Sequence, residues 1–67
     1  MTFCIALRMM CLGYSIRRRG WSNVGWSIKL VNDVICDMHG RVLDEDRMAD
    51  RIEHEDILAG DWEIYEG

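Results

Sequence analysis

The sequence predicts an α+β domain, one N-terminal helix packed on a small mainly antiparallel sheet of four to five strands, and three observations carry that expectation. Apolar residues recur with a helical period from Phe3 to Cys11. Beyond Gly13 the period falls to two. Turn pairs such as Asn32-Asp33 and His39-Gly40 then separate the alternating runs, as in a meander of hairpins.

Thr2 stands where an N-cap belongs, and Phe3, Ala6, Leu7, Met10 and Cys11 occupy the i, i+3, i+4, i+7 and i+8 positions of one face. Gly13 follows as a C-terminal glycine. Met9 and Met10 read as packing residues. Tyr14 to Arg19 alternates as a strand, which places Arg18 on the side of Tyr14 and Ile16. Gly20 and Gly25 permit a reversal with positive φ, and the next strand is headed by Trp26, with Ile28 and Leu30 on the same side. Val34 to Met38 follows the Asn32-Asp33 turn, and Arg41-Val42-Leu43 is a candidate return strand. Asp44 to Asp56 lacks alternation; it fits one or two helical turns or equally a mobile acidic loop. Asp56 to Gly60 reads as a helical turn stopped by glycine, and Asp61 to Tyr65 as a final strand with Trp62 and Ile64 on one face.

Sixty-seven residues make a single domain, 1–67, in which a lone monomer has little core. Assembly, metals or disulfides rescue such chains. Three cysteines at unrelated spacings, Cys4, Cys11 and Cys36, argue against a disulfide framework and for a reducing compartment. The apolar segment Phe3 to Leu12 is interrupted by Arg8 and is too short to cross a bilayer, so a soluble cytoplasmic protein without membrane contact is expected. Net charge is −4, but its distribution is uneven. Residues 1–31 hold five positive charges and no acid, whereas residues 32–67 hold three arginines against all twelve acids, giving +5 and −9. That asymmetry suits intersubunit complementarity or an acidic face turned to a basic partner.

The segment Arg17-Arg18-Arg19-Gly20-Trp21-Ser22-Asn23-Val24-Gly25-Trp26 concentrates two of the three tryptophans beside three arginines. Guanidinium forks match phosphate oxygens and indoles stack on bases, so planar anionic ligands suit this chemistry. The plainer reading is a hairpin with core tryptophans and solvated arginines. Cys36-Asp37-Met38-His39 has the C-x-x-H spacing of half a metal clip, but a structural zinc site wants two such pairs, and Cys36 reads better as a small buried hydrophobe. No motif sets a base beside a nucleophile and no phosphate-cradling glycine loop is present, so neither catalysis nor a cofactor is expected.

Two stretches together resemble a known family. Met1-Thr2-Phe3 through Ala6-Leu7 with Gly13-Tyr14-Ser15-Ile16-Arg17-Arg18-Arg19-Gly20-Trp21-Ser22, and the closing Asp56-Ile57-Leu58-Ala59-Gly60-Asp61-Trp62-Glu63-Ile64, are similar to the opening and ending of the Thoeris anti-defence two family of small phage-encoded proteins. The resemblance covers about half the chain. It implies a homo-oligomer in the host cytoplasm that sequesters a cyclic nucleotide signal such as glyco-cyclic ADP-ribose without cleaving it, in pockets between subunits. Carried onto this sequence, it points to Arg18, Trp21, Asn23, Trp26, Asp61 and Trp62 as ligand-binding residues. The middle departs from the family pattern: the acidic run Asp44 to Glu55 replaces a longer proline- and aromatic-containing segment. An acidic wall repels phosphates. The alternative is therefore an acidic mimic of nucleic acid, or an anti-CRISPR-like inhibitor, that occupies the basic groove of a host defence nuclease. One ordered stripe of Asp44, Glu45, Asp46, Asp50, Glu53, Glu55 and Asp56 would favour the mimic, and scattered acids the nucleotide trap.

Overall fold

Thr2 begins the first helix as expected. In the computed structural model its Oγ1 accepts from the Ile5 amide at 3.4 Å, and α1 runs Phe3–Cys11. The structure describes residues 1–23 and 25–66, without the side chains of Ser22, Asn23, Ala49 and Asp50. Past Cys11 the Gly13 amide reaches Met10 O at 3.0 Å and the Tyr14 amide reaches Met9 O at 3.2 Å, with Gly13 at φ +105°. Those two bonds form a Schellman stop, which needs a residue without Cβ at that φ.

The chain then builds β1 (Ser15–Arg18), a 3₁₀ turn (Arg19–Asn23), β2 (Ile28–Val31), β3 (Val34–Asp37), α2 (Glu45–Arg51), α3 (His54–Leu58) and β4 (Trp62–Tyr65). The sheet order is β3-β2-β1-β4 with every neighbour antiparallel. The α+β expectation holds at its lower count of four strands. Asn32 and Asp33 both take positive φ, 53° and 65°, and close the two-residue β2–β3 hairpin in the manner of a type I′ turn.

Three local expectations need correction. The first hairpin is shorter than its alternation suggests: Arg19 and Gly20 coil into the 3₁₀ turn, Trp26 and Ser27 precede β2, and Ile16↔Ile28 is the β1–β2 pair. Gly25 has the positive φ that the reversal requires, at 65°, and Gly20 does not. Arg41-Val42-Leu43 is a single bridge, Cys36↔Val42, because Asp37 folds the chain back on itself. Its Oδ1 accepts from the amides of His39 and Arg41, both at 2.9 Å. The acidic run is two short helices. Asp44 Oδ1 caps α2 through the Arg47 amide at 3.0 Å, and Asp56 Oδ2 reaches back to the Glu53 amide at 2.8 Å to start α3 two residues before Asp56, so the turn expected at Asp56 to Gly60 runs earlier in the chain.

The core lies on one face of the sheet. Ile16, Ile28 and Trp62 point there and meet Ala6 and Met10 of α1, with Leu43 and Ile52 closing the sides. The opposite face carries Ser15, Arg17, Lys29, Glu63 and Tyr65, where Arg17 Nε pairs with Glu63 Oε1 at 3.1 Å and its guanidinium lies 4.4 Å over the Tyr65 ring. No described helix is long and apolar enough to cross a membrane.

Candidate functional site

Residues from the two ends of the chain do converge, and β1 beside β4 is the reason. The register sets Arg18 opposite Trp62, so the arginines of the first segment meet the acids of the last. Arg18 forms a fork with Asp61, Nε to Oδ1 at 2.8 Å and Nη2 to Oδ2 at 3.3 Å. Its Nη1 donates to Asp56 Oδ1 at 2.7 Å. The Asp61 and Asp56 bonds push the Arg18 guanidinium further up, and in return the Arg18 bond holds the Asp61 carboxyl below the usual carboxylate range. Every nitrogen of this guanidinium is occupied within the chain.

Trp62 is 2% exposed. Its Nε1 donates to Asp56 O at 2.7 Å, and Phe3 tilts against it at 5.0 Å between ring centroids. Within one chain neither face of this ring is open to a ligand. The indole row continues outward: Trp21 stands edge-on to Trp62 at 5.0 Å, and Trp26 edge-on to Trp21 at 4.5 Å. A hydrogen bond from the Trp26 amide to Trp21 O, 3.3 Å, fixes this pair across the reversal. Both are half-buried. The Arg51 guanidinium lies 5.5 Å over the Trp26 ring.

Of the six residues expected to bind ligand, the fold thus brings Arg18, Asp61 and Trp62 together as a part-buried clasp and leaves Trp21 and Trp26 half-buried beside it. The Asn23 side chain lies outside the described residues. Three arginines missed by sequence reasoning, Arg41, Arg47 and Arg51, line one hollow of about 200 Å³ with Asp37 and Leu43. Their signal was present, since Arg47 and Arg51 are four apart on α2 and so share a helix face, but twelve acids in the same half masked it. A second depression, about 350 Å³, lies on the other face of the sheet between Lys29, His39 and Tyr65, with Ser15, Ser27 and Glu66. It is larger, yet sets one ammonium against one carboxylate. Cys36 is buried, its thiol 3.7 Å from Val34 O. The described residues hold no cluster of three or more His, Cys, Asp or Glu able to take a metal ion.

The elements define an α+β domain, an N-terminal helix with a four-stranded antiparallel sheet. Residues 1–65 match the model of the Tad2-like family, described as the Thoeris anti-defense 2-like domain. The chain belongs to that family, and the family indicates a Thoeris anti-defence role. No curated protein and no solved structure matches it.

Proposed function

We propose that the protein captures a cyclic nucleotide signal, such as glyco-cyclic ADP-ribose, and holds it intact in the host cytoplasm. The observation that carries this reading is the Trp21–Trp26 pair with Arg51 above its outer ring. A base stacked on an indole contributes about 1–3 kcal/mol, whereas an exposed cation–π contact contributes about 0.5–1 kcal/mol. A base therefore displaces the guanidinium from Trp26 and leaves it free to turn to a phosphate. Trp62 braces the row from behind.

Self-assembly fits this reading, because Leu58 is 81% exposed and Ile57, Ile5 and Leu12 are also exposed, apolar area that further copies of the chain would cover. The acids do not favour the nucleic-acid mimic. Asp44 caps α2, Asp56 is buried against Arg18, and three arginines sit among the remaining carboxylates. The Asp50 side chain lies outside the described residues.

Calorimetry with glyco-cyclic ADP-ribose tests the proposal, alongside light scattering on the same sample. Wild-type protein is expected to bind, to release the nucleotide chemically unchanged on denaturation, and to lose roughly 5- to 150-fold in affinity on Trp26→Ala, the range that ~1–3 kcal/mol of stacking implies. Full affinity in the variant, or a hydrolysed product, counts against it.

A further inference from the structure

We propose that Arg41, Arg47 and Arg51 form a receptor for a pyrophosphate-bearing small molecule. The assignment deepens the nucleotide reading above and rests on it for the identity of the ligand, though the pocket can be tested without it.

Three guanidiniums border one depression of about 200 Å³, and among the described residues the carboxylate that lines it is Asp37. That carboxylate is already engaged: although burial pulls it upward, the amides of Arg41 and His39 donate to Oδ1 and hold the group below its ordinary range. The ion pairs among the described residues are Arg17–Glu63, Arg18–Asp56 and Arg18–Asp61, and none draws on these three arginines. Like charges gathered around one hollow repel one another, and a multivalent anion relieves that repulsion.

The placement also has a shape. Arg47 and Arg51 stand one turn apart on α2, and both line the hollow. Arg41 approaches from the loop after β3, and Arg47 Nη1 lies 3.5 Å from Val42 O, which draws it toward that loop. Three guanidinium forks lining one hollow match the separated oxygens of two linked phosphates better than a single carboxylate. Arg51 is shared with Trp26, so a pyrophosphate in the hollow lies next to an indole that can take the attached base. The segment that looked like an acidic wall thus contributes the phosphate end of the site.

The test titrates inorganic pyrophosphate into the full-length protein and follows ¹⁵N–¹H signals, including arginine Nε and tryptophan Nε1. Expected are shifts at Arg41, Arg47, Arg51 and Trp26, an affinity at least ten-fold lower in R47Q/R51Q, and no change in Arg17→Gln on the other face. Thermal melts confirm that the variants fold, and Arg41→Gln replaces the double variant if it does not. No saturable binding, shifts centred on Lys29 and His39, equal affinity in the variant, or stronger binding of a polyglutamate peptide overturns the proposal. If pyrophosphate binds here and glyco-cyclic ADP-ribose does not, the pocket stands and the nucleotide function falls. If the nucleotide binds equally to R47Q/R51Q, the function stands and the pocket falls.

Discussion

Asp56 shows how much one side chain can hold. It is 8% exposed; Oδ2 accepts from the Glu53 amide, Oδ1 from Arg18, and its carbonyl from the Trp62 indole. Removing the carboxylate takes the acceptor from the Glu53 amide at the α3 start and leaves Arg18 Nη1 without its counter-charge, while the fork to Asp61 remains. Asp56→Ala is expected to lower stability by about 1.5–3 kcal/mol, the range for hydrogen bonds to charged groups, read from urea unfolding. A change within a few tenths would show that Asp61 alone satisfies Arg18. Nothing local in the sequence marks this role, because the partners in the Arg18 bonds lie 38 and 43 residues away. The same distance hid the fate of Trp62. Alternation told which residues share its face, but not whether that face meets a core or a ligand.

The elements whose signals are short-range were legible. Thr2, Gly13 and the Asn32-Asp33 pair each act within four residues, and the structure places a cap, a stop and a hairpin there. Asp33 at φ 65° tolerates the left-handed region because its side chain is short and polar. A β-branched residue does not. Asp33→Val is expected to cost about 1–2 kcal/mol, whereas Asp33→Gly is expected to be neutral or stabilising, compared by thermal melting. Equal melting points for the two would remove the turn from the list of features that set the β2–β3 register. The middle segment was legible only as lacking alternation. Its helices depend on Asp44 and Asp56 as caps and on Ile52, buried between them, so both ends of each helix had to be known before either could be read.

At the scale of the whole molecule, the opposed charges of the two halves meet inside it. Arg17 and Arg18 of the basic half pair with Glu63, Asp56 and Asp61 of the acidic half, so the asymmetry is partly consumed within one chain. Asp61 and Asp37 sit below the ordinary aspartate value of about 3.9, and the folded chain therefore binds fewer protons than the unfolded chain in acid. Their stabilisation is present above that value and is lost as pH falls through the depressed folded values. Arg18 is shifted upward, so its part is intact at any pH below its ordinary range. The melting temperature should hold level from neutral pH to about 5 and fall steeply below about 4, measured by circular dichroism. A level profile down to pH 2 would mean that the clasp contributes nothing to the fold. The row of rings from Phe3 through Trp62 and Trp21 to Trp26 has an optical consequence as well. Indoles in edge contact pass excitation to one another, so an occupant resting on the outermost ring also alters emission from the sealed one. The molecule thereby carries an unlabelled fluorescent gauge of its own occupancy.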